Sequence, residues 1–315
     1  MTMDYAIETQ DLTKQYGNLV AVNKLNIKVQ HNTIHGFLGP NGAGKSTTIK
    51  ILIGLLKATS GSATVLGKKV QLDDADSRLR IGYMPELPRF PKHLKGAELL
   101  DIYGRMYGMN PVELKEQISK LIELVGLKGR ENDLIGKYSK GMQQRIGIAQ
   151  ALLTNPELVI LDEPSMGLDP VGMVEVRELV KAISKDGMTV LVSSHLLFEV
   201  EQICSHVTII NRGQALVSDT LENVSHKISG PVSIQVEIVN LNQKVISSLK
   251  ELPFVKEITQ KNATLNINLN TREEVREKIS QTITSSGGII VSMSMKGHGL
   301  EDIFLELIKS QGAKK

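Results

Sequence analysis

Short apolar runs alternate with amphipathic stretches from Tyr5 to about Ser218. Residues 33–38, 158–161, 188–192 and 207–210 are almost wholly apolar and read as buried strands. Apolar strands separated by helical stretches predict a mostly parallel sheet covered on both faces. Between residues 85 and 155 the texture changes, and 98–106, 111–125 and 142–153 carry a helical period. A helical subdomain inserted in an α/β core is the reading for residues 1–220.

After Gly230-Pro231 the pattern becomes period-2. Val232, Ile234, Val236 and Ile238 alternate with polar residues, as do Leu265, Ile267 and Leu269, and again Val291, Met293 and Met295. Each set predicts a strand with one buried face. Helices are predicted over 243–252 and 271–285, the second opening with Thr271 and Glu274 at capping-box spacing. With a strand over 254–259 the order is β-α-β-β-α-β, the pattern of a small ferredoxin-like α+β domain over 230–315. A last amphipathic helix, 300–309, places Ile303, Phe304, Leu307 and Ile308 on one face.

Composition narrows the function classes. Charged residues make up 23% and hydrophobic residues 41% of the 315, which fits a folded globular chain. Net charge is +3, with 25 basic and 23 acidic residues before Asp219 and 12 and 11 from it onward. No basic arm or block is present to bind a polyanion. Aromatics are 3% and Trp is absent, poor material for stacking bases, so no nucleic-acid partner is expected. The single cysteine, Cys204, permits no internal disulfide and fits a reducing compartment. Residues 1–10 lack a basic flank followed by an apolar stretch, so no secretory leader is visible. No apolar run of about 18 residues is present, so no membrane span is expected.

The chemistry concentrates in a few motifs. Gly39-Pro40-Asn41-Gly42-Ala43-Gly44-Lys45-Ser46, with Thr47 following, fits a phosphate loop between an apolar strand and a helix over 47–56. Glycines let backbone N–H groups turn toward phosphate oxygens, and the helix N-terminus adds partial positive charge. Lys45 is placed to neutralise β- and γ-phosphates, and Ser46 to ligate Mg²⁺. The strand 158–161 ends in Asp162 and Glu163. Asp162 there can reach Mg²⁺, and Glu163 can take a proton from an attacking water.

Tyr138-Ser139-Lys140-Gly141-Met142-Gln143-Gln144-Arg145 precedes that strand and opens a helix. It resembles the signature motif of ATP-binding cassette (ABC) proteins, which usually reads Leu-Ser-Gly-Gly-Gln before a Gln-Arg pair. Ser139, Gly141, Gln144 and Arg145 match, while Tyr138, Lys140 and Met142 depart from the common form. Further segments follow in the family's order. Ser165-Met166-Gly167-Leu168-Asp169 resembles its D-loop, and His195 its switch histidine. Tyr16 resembles the aromatic that stacks on adenine, and Glu86 stands where the family commonly has Gln.

The resemblance covers about residues 4–218 and implies a P-loop NTPase cassette: a mostly parallel α/β sheet, an antiparallel β edge and a helical subdomain. It implies ATP and Mg²⁺ as cofactors. It gives Glu163, His195 and Lys45 catalytic roles, and Ser46, Asp162 and Glu86 contact with the metal. The nucleotide contacts implied are Tyr16, Gly39, Pro40, Asn41, Gly42, Ala43, Gly44, Lys45, Ser46, Thr47, Ser139 and Gly141. It also implies membrane permease subunits as partners, a second cassette (another copy or a homologue) and a place on the cytoplasmic face of the cell membrane. The chain looks most like an exporter's ATPase subunit with a C-terminal accessory domain. A soluble ABC ATPase acting on ribosomes or nucleic acid is the competing reading.

Overall fold

A computed structural model of the chain describes residues 5–72, 74–185, 187–228, 233–271 and 273–296. The Gly230-Pro231 junction, Val232 and the helix expected over 300–309 lie outside the described residues. Contacts divide the chain into two compact units, Met1–Leu221 and Glu222–Lys315.

The first unit opens with β1 (Ile7–Tyr16), β2 (Leu19–Leu25), β3 (Lys28–Val29) and β4 (Ile34–Leu38), then α1 (Lys45–Leu52), β5 (Ser60–Val65) and β6 (Lys68–Lys69). It continues with α2 (Ala75–Leu79), β7 (Ile81–Met84), α3 (Gly96–Met106), α4 (Pro111–Leu124) and α5 (Lys140–Ala151). It ends with β8 (Leu158–Asp162), α6 (Pro170–Lys185), β9 (Thr189–Ser194), α7 (Leu197–Ile203), β10 (His206–Asn211) and β11 (Gln214–Thr220). At the boundary lies α8 (Leu221–Ile228).

The central sheet has the order β11-β10-β4-β9-β8-β7. All neighbours from β10 to β7 are parallel, and β11 returns antiparallel at the edge. Every residue of β4, β8 and β9 is buried, which is why these strands read as largely apolar runs. A second, antiparallel sheet runs β2-β1-β5-β6, with β3 on β1. One core joins the two sheets through α1: Ile7 and Val65 meet Ile49 and Leu52 of the helix, and Phe37, Ile160 and Leu191 of the central sheet. Each such side chain contributes roughly 1.5–3 kcal/mol by leaving water. The helix expected over 47–56 starts earlier and stops at Leu52. Gly54, at φ 70, reverses the chain toward β5.

The helical insertion holds α3, α4 and α5. Asn110 caps α4 through Val112 N–H, with Pro111 in the first turn. Ser139 caps α5 through Met142 N–H, so that helix begins two residues before the periodic run at 142.

The second unit contains β12 (Ser233–Val239), α9 (Gln243–Lys250), β13 (Val255–Lys261), β14 (Thr264–Leu269), α10 (Arg276–Ser285) and β15 (Ile289–Lys296). The sheet order is β13-β14-β12-β15 with every pair antiparallel, a ferredoxin-like arrangement. Its core packs Ile234, Val236, Leu265 and Ile267 of the sheet against Val245, Leu249, Ile279 and Ile283 of the helices.

Two expectations fail here. The Thr271–Glu274 capping box does not form, and α10 starts at Arg276. The Glu274 carboxylate is taken by the backbone N–H and guanidinium of Arg276, and Thr271 Oγ1 accepts from Glu273 N–H. The alternation at Val291 also breaks, leaving Val291 58% exposed. A bulge opposite Glu237 and Ile238 moves the inward position from Met293 to Ile290.

Among the polar residues buried in the central sheet is a histidine. His35 of β4 pairs with His206 of β10 and is 2% exposed. Its Nε2 lies 2.8 Å from Thr208 Oγ1, which lies 2.7 Å from Ser218 Oγ. Its Nδ1 is buried without a partner. Burial, and secondarily the charge of the stacked His206, push the His35 pKa down to about 3. The unfolded chain takes up this proton near 6.5. Stability is therefore full above that pH and falls as pH drops toward 3, by about 1.4 kcal/mol per unit. Denaturant unfolding of His35→Gln should lose about 2 kcal/mol less than the parent chain between pH 7 and pH 5. Equal losses in the two proteins would remove His35 as the origin.

Candidate active site

β4 ends at Leu38 and α1 begins at Lys45, and the six residues between them form a tight loop. Gly44 caps the helix at φ 105, where a Cβ would stand 2.5 Å from the carbonyl oxygen of Ala21. A Cβ on Gly39 would stand 2.5 Å from the carbonyl oxygen of Ile210. Only glycine fits either position. α1 has neither a capping side chain nor an acidic residue in its first turn, so its N-terminal dipole is free to meet an anion.

Lys45 is 6% exposed and folds back over the loop. Its Nζ donates to the Gly39 carbonyl at 2.6 Å and lies 3.1 Å from Glu163 Oε1. The second contact is an ion pair without hydrogen-bond alignment.

The sheet order brings the other groups to the same end. Asp162 closes β8, Ser193 lies in β9, and β9 stands between β4 and β8. Ser193 Oγ donates to Asp162 Oδ1 at 2.5 Å and accepts the Glu163 backbone N–H at 2.9 Å. Glu163 sits at φ 50, in the left-handed region, at a cost on the order of 1 kcal/mol. Its Oε2 is 2.8 Å from Nδ1 of His195. A buried chain therefore runs from Lys45 through Glu163 to His195, whose side chain is 35% exposed.

A cleft of about 440 Å³ opens beside this chain. Tyr16, Glu86 and Glu163 line it with Pro40, Asn41, Gly42, Ala43, Gly44, Lys45, Ser46 and Thr47. Tyr16 is 46% exposed at the end of β1, with Lys14 Nζ 5.1 Å from its ring centre. The Tyr83 hydroxyl, on β7, is pushed up to about 12 by burial and by the charges of Asp162 and Glu86. The oxygen donors of Ser46, Asp162 and Glu86 suit Mg²⁺ in kind. No three His, Cys, Asp or Glu among the described residues could hold an ion by themselves. That fits an ion which takes one or two carboxylates together with substrate phosphates.

Ser139 and Gly141 do not line this cleft. Ser139 is exposed, and its Oγ accepts the Met142 N–H at 3.2 Å. Position 142 thus supplies a backbone donor to the cap. Tyr138 is 5% exposed and donates its hydroxyl to the Arg130 carbonyl at 2.8 Å. Arg145 donates to the carbonyls of Val125 and Gly126, tying α5 to the end of α4. Sequence reading missed Ser193, the hydroxyl that holds both carboxylate positions. Its one signal is the pair of serines directly before His195.

Comparison with known proteins places this arrangement. The model of the ABC transporter family matches residues 22–166. The bacitracin transport ATP-binding protein BcrA of Bacillus licheniformis is 35% identical over 307 residues, covering 97% of this chain and 98% of that protein. The linearmycin resistance ATP-binding protein LnrL of Bacillus subtilis (strain 168) is 33% identical over 304 residues, 96% of this chain and 97% of that one. Among solved structures, an ATP binding subunit of an ABC transporter matches with TM-score 0.63 at 30% identity, covering 70% of this chain and 92% of that one. The ADP conformation of an ABC transporter's ATP-binding cassette matches with TM-score 0.62 at 25% identity, covering 70% and 93%. The chain belongs to the ABC transporter family as an ATP-binding subunit, an ATPase that powers transport across a membrane.

Proposed function

We propose that this chain hydrolyses Mg-ATP in the Lys45–Glu163 cleft, that a second cassette completes the site, and that a separate membrane permease is driven by the cycle. The buried chain from Lys45 through Glu163 to His195 carries this reading. The triphosphate competes with Glu163 for Lys45, whose ammonium turns to the β- and γ-phosphates. Glu163, released from the pair, accepts a proton from the water that attacks the γ-phosphorus. The bond from that phosphorus to the bridging oxygen breaks, and ADP leaves with its electrons. His195 holds the second Glu163 oxygen, and its exposed edge faces the departing phosphate. Ser46 and Asp162, with Glu86 beside them, would hold Mg²⁺, which neutralises charge on the β- and γ-oxygens.

The exposed cap at Ser139 supports the second cassette. A helix N-terminus that accepts an anion but stands apart from the cleft is suited to a nucleotide bound by another copy. The permease reading draws support from an apolar groove of about 600 Å³ lined in part by Tyr83, Pro85, Pro88, Phe90, Tyr103 and Met106. It adjoins the loop 86–95 and is suited to a helix from the permease's cytoplasmic side. No helix among the described residues is long and apolar enough to cross a membrane. The names of the two relatives support an antibiotic as cargo and export as direction. An accessory or regulatory role for residues 230–315 belongs to the same proposal and rests on their separate core.

Glu163→Gln should lower kcat about 10²–10⁴-fold while ATP still binds, and should accumulate an ATP-bound dimer on size-exclusion chromatography. Unchanged turnover would end the assignment of Glu163. Lys45→Ala and Ser139→Arg should each be inactive alone yet regain ATPase activity when mixed, because one cleft of each mixed dimer then has both partners intact. Mixtures that stay inactive would count against a shared site. Affinity capture from detergent-solubilised membranes should bring down a multi-span protein, and capture of ribosomes alone would reverse the permease assignment.

A further inference from the structure

The loop 39–44 can turn its N–H groups inward only where its carbonyls turn outward, because the C=O and N–H of a trans peptide point opposite ways. A buried outward carbonyl then needs a donor of its own. Three of those donors are local. The Gly39 carbonyl accepts from Lys45 Nζ at 2.6 Å, the Pro40 carbonyl from Ala43 N–H at 3.1 Å, and the Gly44 carbonyl from Thr48 N–H and Thr48 Oγ1, both at 2.9 Å. Ala43, 2% exposed, is served from elsewhere: its carbonyl accepts the N–H of Gly213 at 2.8 Å.

Gly213 lies in the turn between β10 and β11, where Asn211 pairs with Gln214 across two residues at positive φ, Arg212 at 48 and Gly213 at 78. Two left-handed residues make the turn whose twist suits a two-residue hairpin. This turn is wedged between two other backbones. Besides donating to Ala43, Gly213 accepts the N–H of Asn23, in β2, at 2.9 Å. A Cβ on Gly213 would stand 2.8 Å from the Ala21 carbonyl oxygen, 2.9 Å from Val22 Cα and 3.0 Å from Asn23 N. All three are backbone atoms, so no change of rotamer makes room. Gly213 is buried and does not line the cleft, whereas Ala21, Ala43 and Gly44 do. We propose that Gly213 is a positioning residue for the nucleotide. By holding the Ala43 carbonyl outward it aims the N–H of Gly44, the other end of the same peptide, at a phosphate oxygen. By holding β2 it fixes the distance from the loop to Tyr16 and Leu19, which line the same cleft. This rests on the reading of residues 39–47 as the phosphate site. The simpler role, a tight turn that closes a hairpin, predicts lower stability and unchanged affinity in the protein that stays folded.

The test uses the full chain and the non-hydrolysable ATP analogue AMP-PNP with Mg²⁺, read by titration calorimetry and by amide hydrogen exchange. In the parent chain, binding should slow exchange of the Gly213 amide about tenfold or more, because a ligand that favours the braced loop must favour the brace equally. Gly213→Ala should weaken binding about tenfold or more at a temperature where melting shows the variant folded. Arg212→Asn, which keeps Gly213 and suits the turn, should bind within about twofold of the parent. Exchange at Gly213 that does not respond to the analogue, or parent-like affinity in Gly213→Ala, would overturn the proposal. So would an equal loss in Arg212→Asn, which would trace the effect to the turn as a whole. Should Gly213→Ala fail to fold, the exchange measurement on the parent chain decides. Weak binding by Lys45→Ala with parent-like binding by Gly213→Ala defeats this inference alone, whereas parent-like binding by Lys45→Ala defeats the reading beneath it.

Discussion

Lys45 and Glu163 meet almost entirely out of water, at 6% exposure each. Two charges withdrawn from solvent repay their desolvation only when each has good partners. Here the repayment is divided. Lys45 also holds the Gly39 carbonyl, Glu163 also holds His195, and the Lys45–Glu163 contact itself lacks hydrogen-bond alignment. Removing either partner strands the other, which costs about 3–5 kcal/mol. A polyanion that replaces Glu163 on Lys45 avoids that cost, because the lysine keeps a counter-charge and the carboxylate keeps its histidine. The pair is arranged for exchange more than for strength.

That arrangement dictates the sheet. The loop after β4 and the carboxylates after β8 can meet only if those strands lie close and parallel, and β9 between them must then be small and polar at its end. Ser193 meets the requirement. Its one hydroxyl orders both Asp162 and the Glu163 backbone, which holds Glu163 in a conformation a free chain avoids. Open parallel sheets place ligands beyond the carboxyl ends of their strands, and every group of the cleft drawn from the central sheet follows that rule.

Most of this was legible in the sequence because the chemistry is local. Gly39 to Thr47, the Asp162-Glu163 pair and Ser139 to Gly141 are each defined by spacing along one segment, and the strands β4 and β8 that lead into the first two are largely apolar runs. What was not legible depends on pairing. Ser193 acts on residues 31 and 30 positions away, contacts created by the adjacency of β8 and β9 and not by any spacing. The bulge that exposes Val291 is likewise a property of β15 against β12, and the alternation of β15 alone predicts the opposite face. The lost capping box at Thr271 has a different cause, a competitor two residues beyond Glu274 that the motif does not consider.

The exchange at Lys45 also explains how a cleft of this kind can distinguish its nucleotides. A ligand moves an equilibrium only through the difference between its affinities for the two states. ADP keeps the β-phosphate but lacks the γ-phosphate, so in the proposed cycle it competes less well with Glu163 for the ammonium than ATP does. In the proposed cycle ATP offers a second anion at the same point and displaces the carboxylate. The energy that separates the two cases is local: one ion pair, sealed from solvent and screened little by salt. On this reading the state of Lys45 reports the γ-phosphate, and the freed Glu163 removes that same phosphate and restores the pair. The segment from Ser165 to Asp169 begins two residues beyond Glu163, so any displacement of Glu163 is felt first in that turn. A device with so short a path from sensor to output needs no long-range wiring within the cassette, and in the proposed assembly transmission beyond it falls to the surfaces turned to a second cassette and a permease.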